Sequence, residues 1–181
     1  NKSDFEKPPY LVSNQDLVKK YKIKLKNFGK KYNIGISWRS FKNRYANEKS
    51  LNLENIKNIF KNVECNFINL QYGDVENEIE NFNKSIENKI ITIKDLDIFN
   101  DFDKLSAILK NLDLFLTVSN STAHLAGALG VETIVIKPTN HAVFHYWDQP
   151  GNKTPWYNKI TLLNRDELFE NKNLIMKQLN N

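Results

Sequence analysis

The chain has 181 residues, of which 40% are hydrophobic and 26% charged, a balance typical of a folded domain and unlike that of disordered chains. This length suits one domain rather than two, and no apolar stretch approaches the ~18 to 20 residues that cross a bilayer. The single cysteine, Cys65, excludes an internal disulfide and a cysteine-based zinc site. We therefore expect a reducing, cytoplasmic setting.

The amino-terminal residues, NKSDFEKPPY, lack the charged start and apolar run of a signal peptide. The two prolines among them indicate an extended lead-in over residues 1–15. The chain begins with Asn1 and its only methionine is Met176, from which we expect a longer or processed parent protein. Residues 16–181 are predicted to form a single domain.

Helices and strands are predicted to alternate along this domain. Apolar residues at helical spacing predict helices over 16–31, 53–61, 75–88, 101–111, 123–129 and 166–179. Short apolar runs predict strands over 33–38, 65–71, 90–93, 114–118, 133–136 and 159–163. Asp74 is predicted to cap the third helix, and Gly130 to end the fifth. Nearly continuous apolar strands between helices predict an α/β fold, a doubly wound, mostly parallel sheet of about six strands with helices on both faces.

Positive charge is concentrated at the front of the chain, where residues 1–62 hold 15 of the 26 basic residues and five of the 21 acidic ones. Such a region suits a nucleic acid, an anionic membrane surface or a phosphate-bearing small molecule. No stacking motif of single-strand binders is present, which disfavours nucleic acid. A solvated, lysine-rich first helix also accounts for most of these charges without any ligand.

A doubly wound sheet binds ligands beyond the carboxyl ends of its strands, where the strand order reverses. Two segments are predicted to lie there: residues 119–122, which enter a helix of small residues, and the basic loop 39–50. Free first-turn amides facing basic side chains form a binding site for an anion such as a diphosphate. In the alternative reading, residues 119–122 only cap the helix, and His124 is structural. No GxGxxG or GxxxxGK[ST] motif supports a nicotinamide or P-loop nucleotide.

Several segments occur in an order that resembles a known family. They are Gly35-Ile36-Ser37-Trp38, Lys49-Ser50-Leu51, Phe67-Ile68-Asn69-Leu70-Gln71, Asp101-Phe102, Leu112-Asp113-Leu114, residues 119–130 and Pro155-Trp156-Tyr157. Together they resemble the C-terminal, donor-binding half of GT-B glycosyltransferases, especially those linked to bacterial tetratricopeptide repeats. The similarity to heptosyltransferases and O-linked N-acetylglucosamine transferase is more distant. The resemblance covers about residues 8–165, and HLAGALG with the preceding polar run is its most specific part.

The resemblance implies a nucleotide-diphosphate sugar as substrate, with no metal or redox cofactor. It places the diphosphate against Asn120, Ser121, Thr122 and His124, with Lys49 and Arg39 as neutralising cations. It places Gln71 and Ser119 on the nucleoside or sugar side and residues 97–102 beside the base. This chain departs from many relatives at Ser119 and Lys104, where they carry Asp.

In that family the acceptor face and usually the catalytic base belong to the N-terminal domain, which this chain is too short to include. We therefore expect transfer to require an N-terminal acceptor domain or repeat region, and the sequence assigns no catalytic residue. Two alternatives stay open. One is a donor-binding or scaffold module without catalysis, and the other is a nucleotide-sugar epimerase of the same fold, for which acidic cleft residues cannot be placed.

Overall fold

A computed structural model describes residues 9–40, 50–138, 143 and 145–179. Its sheet contains six parallel strands in the order β3-β2-β1-β4-β5-β6. The strands are β1 Tyr32–Ser37, β2 Cys65–Asn69, β3 Ile90–Ile91, β4 Leu114–Val118, β5 Thr133–Lys137 and β6 Ile160–Asn164. The order reverses between the adjacent strands β1 and β4, so the predicted doubly wound parallel sheet is confirmed.

Helices connect the strands and cover both faces of the sheet. They are α1 Gln15–Lys26, α2 Leu53–Ile59, α3 Glu76–Ser85, α4 Phe102–Leu109, α5 Ser121–Ala128 and α6 Lys172–Leu179, with a 3₁₀ turn at Arg165–Glu167. Among the described residues, no helix is long and apolar enough to cross a membrane.

Several helix boundaries differ from the sequence prediction. The first helix ends at Lys26 rather than at residue 31, because Asn27 closes it and Gly29 turns the chain with a φ of 78°. Asp74 does not cap α3, so that prediction is wrong. The helix begins at Glu76 and Val75 occupies the capping position, which leaves Asp74 one residue too early to reach the free amides. The closing helix begins only at Lys172.

Two apolar layers enclose the sheet because its strands are buried on both faces. One layer joins strand residues such as Ile34, Ile36 and Phe67 to α2, α3 and α6. The other joins Ile68 and Phe115 to α1, α4 and α5. This two-sided burial is the reason that the strand sequences are almost continuously apolar, as a parallel sheet requires.

A third, smaller cluster lies under the segment that follows β5. Trp147 is fully buried there against Ala123 of α5 and residues of β5 and β6. The carboxyl end of α5 is also covered, since the amide of Leu11 in the lead-in donates to the carbonyl of Ala128 at 3.1 Å. Gly130 follows the helix with a φ of 66°, as predicted for the residue that ends it.

Gly127 permits close packing near the carboxyl end of α5. A Cβ at this position would lie 2.5 Å from Cγ of Tyr157 and 2.8 Å from Cδ1 of Ile160. Alanine normally stabilises a helix interior by ~1 kcal/mol relative to glycine. Here we expect Gly127→Ala to lower the free energy of unfolding by about 1–3 kcal/mol, because the added methyl group would overlap the side chains of Tyr157 and Ile160.

Urea unfolding measures this change. Ser121→Ala is the control at an exposed position of the same helix, and it should alter the unfolding free energy by no more than ~0.5 kcal/mol. A stabilising Gly127→Ala would contradict the packing argument.

Candidate functional site

Polar side chains connect three strands at the carboxyl edge, on both sides of the point where the strand order reverses. Nδ2 of Asn120 donates to Oγ of Ser37 at 3.0 Å and to Oγ1 of Thr117 at 3.0 Å. The Ser37 hydroxyl donates in turn to Oε1 of Gln71 at 3.1 Å. Side chains at or just beyond the carboxyl ends of β1, β2 and β4 therefore form one hydrogen-bonded group, which we call the edge network: Ser37, Gln71, Thr117 and Asn120.

Gln71 is a supporting member of the edge network. Its side chain is 2% exposed, and its Oε1 also accepts from the amide of Arg39 at 2.7 Å. Its Nε2 donates to the carbonyl of Tyr72 at 3.0 Å. These bonds fix the chain as it leaves β1.

Asn120 also sets the start of α5. It is extended, with φ −151° and ψ 176°, and its Oδ1 accepts from the amide of Ala123 at 2.9 Å. Helix α5 therefore begins at Ser121, two residues before the predicted position. The amides of Ser121 and Thr122 fall among the first-turn donors that have no partner within a helix. Asn120 fills the capping role that the alternative reading anticipated, and the neighbouring amides stay available to an anion.

Ser119 and His124, at the start of α5, contact aromatic side chains of the segment that follows β5. Nε1 of Trp147 donates to Oγ of Ser119 at 3.1 Å. The imidazole of His124 stacks on Trp147, with 4.5 Å between ring centroids and 28° between planes. Nδ1 of His124 lies 3.1 Å from the hydroxyl of Tyr157. Desolvation, with a smaller contribution from nearby His145, lowers the pKa of His124 and so favours the neutral ring.

Sequence reasoning missed the aromatic partners of His124. The segment after β5 is rich in aromatic residues, and that richness was the available signal. Periodicity could not show that the segment folds back onto α5, because its described residues form neither a helix nor a regular strand. This aromatic cluster comprises Tyr146, Trp147 and Tyr157 around His124.

The basic side of the predicted site is only partly described. The guanidinium of Arg39 pairs with the carboxylate of Glu78 on α3, which also accepts from Nε1 of Trp38 at 2.8 Å. Arg39 and Arg165 line a groove of about 950 Å³ between the segment after β1, the start of α2 and α3. Lys49, the predicted neutralising cation, lies outside the described residues, as do Lys42 and Arg44.

The base-side prediction concerns the turn after β3. Oδ1 of Asp97 accepts from the amides of Phe99 and Asn100, at 2.9 and 3.0 Å. Phe99 is 72% exposed and Phe102 59% exposed. Within the described ranges, no group of three or more His, Cys, Asp or Glu side chains could hold a metal ion.

Comparisons with known proteins add a fold to this geometry. No family model matches the chain. It is 26% identical over 153 residues to "Protein FlbA" of Caulobacter vibrioides, across 83% of this chain and 25% of FlbA. Its fold is similar to the crystal structure of a glycosyl transferase family 9 protein from Veillonella parvula, with a TM-score of 0.60 and 13% identity.

That structural match covers 93% of this chain and 46% of the Veillonella protein. The chain therefore has a glycosyltransferase-like α/β fold and spans about half of that neighbour and a quarter of FlbA. The likeness establishes the fold, whereas the resemblance to tetratricopeptide-linked enzymes and to O-linked N-acetylglucosamine transferase stays a prediction.

The double role of Asn120 gives a stability test. Asn120→Ala should lower the free energy of unfolding by about 2–3 kcal/mol, since it removes a helix cap and leaves buried hydroxyl groups without their donor. Asn14→Ala is the matched control, because Asn14 caps α1 through the amides of Asp16 and Leu17 but has an exposed side chain. The control should cost about 1 kcal/mol. Equal losses in urea unfolding would show that the bonds to Ser37 and Thr117 contribute nothing.

Proposed function

We propose that this chain is the nucleotide-diphosphate-sugar-binding half of a glycosyltransferase. One observation carries the proposal: the free start of α5 lies beside the edge network at the reversal of strand order, in a fold like that of a glycosyltransferase. This is the position at which doubly wound sheets bind their ligands. The share of the Veillonella protein that is matched, 46%, fits one half of a two-domain enzyme.

The diphosphate would be held by backbone amides and neutral donors. The amides of Ser121 and Thr122 and the positive end of the helix dipole attract an anion without a charged side chain. Ser121 is exposed and its hydroxyl adds a donor, whereas Thr122 is 6% exposed and contributes through its backbone. His124 would donate as a neutral imidazole.

Cationic side chains would complete the site. Arg39 is paired with Glu78, so its charge is partly compensated before any ligand arrives. Lys49 is proposed as the main neutralising cation, on the basis of the family resemblance. A charge on a solvent-facing loop acts through a screened interaction, and its contribution therefore depends on ionic strength.

In the proposed reaction this half would stabilise the leaving nucleoside diphosphate. Transfer of the sugar breaks the bond between its anomeric carbon and the diphosphate, and negative charge grows on the departing oxygen. Donors that are already oriented toward that charge lower the barrier because they need no rearrangement. The base that activates the acceptor hydroxyl is proposed to come from a second domain.

A donor-binding module without catalysis is the second candidate. The pairing of Arg39 with Glu78 and the bond from Trp147 to Ser119 favour it, since two predicted site residues are occupied by protein partners. Both candidates require nucleotide binding. They differ in whether sugar transfer occurs when the chain is studied together with the proposed second domain.

The chain should bind a nucleoside diphosphate weakly, with an affinity that falls as salt rises. Calorimetry with UDP, GDP and ADP at 50 and 300 mM salt tests this, because screening weakens attraction by exposed cations. The matching nucleoside monophosphates are the control and should bind less well. The absence of heat and of thermal stabilisation with all three diphosphates at millimolar concentration would refute the donor-site proposal.

Ser121→Pro should weaken diphosphate binding about tenfold, because it deletes one donor amide from the proposed anion-binding site at the start of α5. The helix should survive, since proline is favoured at the first helical position and the preceding residue, Asn120, is already extended. Ser121→Ala is the matched control, which loses the hydroxyl but keeps the amide, and it should bind more tightly than Ser121→Pro. Equal affinity of the proline variant and the unaltered chain, in the same calorimetry, would exclude this amide from the site.

A further inference from the structure

The imidazole of His124 is held in one plane by the aromatic cluster. Trp147, which is fully buried, stacks on one face of the ring. Tyr146 meets the ring edge-on at a centroid distance of 5.0 Å, and Tyr157 does so at 5.8 Å. These contacts restrict the tilt of the ring, but apolar packing alone does not determine which nitrogen carries the proton.

The Tyr157 hydroxyl is the group that can determine the tautomer. It lies 3.1 Å from Nδ1, whereas Nε2 has no hydrogen-bond partner in the described part of the chain. A phenol is a strong donor and a weak acceptor, and an unprotonated imidazole nitrogen is a strong acceptor. Burial raises the pKa of Tyr157 further, so its hydroxyl keeps its proton at neutral pH.

We infer that Tyr157 is a positioning residue, whose hydroxyl donates to Nδ1 of His124 and thereby keeps the proton of the neutral imidazole on Nε2. The inference rests on the proposed function for its consequence, since the Nε2 proton is the donor offered to a phosphate at the start of α5. The bond made by one imidazole nitrogen sets the role of the other. The opposite tautomer would present a lone pair to an anion and repel it.

This arrangement gives the segment after β5 a function in ligand binding. Trp147 holds Ser119 and stacks on His124, and Tyr157 orients the same ring from the far end of the segment. Tyr157 also packs against Gly127, one turn further along α5. A residue 33 positions away in sequence thus directs a donor at the helix start.

Tyr157→Phe tests the inference because it keeps the ring and removes the hydroxyl. Nitrogen-15 NMR of labelled histidine, with two-bond nitrogen–proton correlations, distinguishes protonated from unprotonated ring nitrogens. In the unaltered chain we expect the His124 proton on Nε2 at pH 7.5. In Tyr157→Phe we expect a mixture of tautomers and a higher His124 pKa, since a bond that favours the neutral ring has been lost. Among the residues that the structure describes, the other titratable groups near this ring are Tyr146 and His145.

The variant should also bind the best of UDP, GDP and ADP about threefold to tenfold more weakly. Tyr146→Phe is the matched control, because Tyr146 touches the same imidazole through its ring while its hydroxyl makes no bond to His124. It should change neither the tautomer nor the affinity. In a His124→Ala background, Tyr157→Phe should have no further effect on affinity, as expected when one residue acts through the other.

The inference is overturned if the unaltered chain carries the proton on Nδ1, or if Tyr157→Phe leaves the tautomer unchanged. The tautomer could respond to Tyr157→Phe although the chain binds none of the three nucleotides. That result would refute the proposed function and support the orientation of His124 by Tyr157. Thermal unfolding of each variant verifies that the fold is retained.

Discussion

The side chain of Asn120 makes three hydrogen bonds on which the arrangement of the edge depends. Its amide nitrogen joins the end of β1 to the end of β4, and its oxygen caps α5. The half-buried side chain of Asn120 satisfies both its donor and its acceptor here, because the helix begins beside the strand reversal. The helix start, with its free amides, is thereby fixed relative to the sheet rather than to a loop.

Two sets of contacts surround Asn120 and the start of α5. Beneath the edge, Ser37 and Gln71 carry the hydrogen bonding from β4 across β1 to β2 and fix the backbone at Arg39. Above it, Trp147 and Tyr157 order Ser119 and His124. Between these two sets of contacts, the start of α5 offers the amides of Ser121 and Thr122 as donors, and these amides support the proposed binding of a diphosphate.

The sequence predicted the architecture well because burial on both faces produces apolar runs that alternate with helical patterns. Six strands and their connecting helices were placed correctly in outline. Local capping was harder to predict. Val75 rather than Asp74 occupies the position before α3. A shift of a single residue decides whether a carboxylate reaches the free amides of the first turn. The start of α5 was predicted two residues late, because the bonds from Asn120 to Ser37 and Thr117 that accompany its capping role do not show in sequence spacing.

The candidate site was predictable where it follows from topology. The carboxyl ends of β1 and β4 meet in any doubly wound sheet, so residues 119–124 and Arg39 were predicted to lie near them. The contacts of those residues were not predictable. Glu78 reaches Arg39 from α3, and Tyr157 reaches His124 from an irregular segment, and neither contact has a signature in sequence spacing.

The central claim is that a nucleoside diphosphate binds at the start of α5. A crystal structure of the chain with UDP, GDP or ADP tests it most directly. We predict phosphate oxygens within hydrogen-bonding distance of the amides of Ser121 and Thr122 and on the same side as Nε2 of His124. Phosphates bound at the opposite edge of the sheet, where the strands begin, would contradict the account.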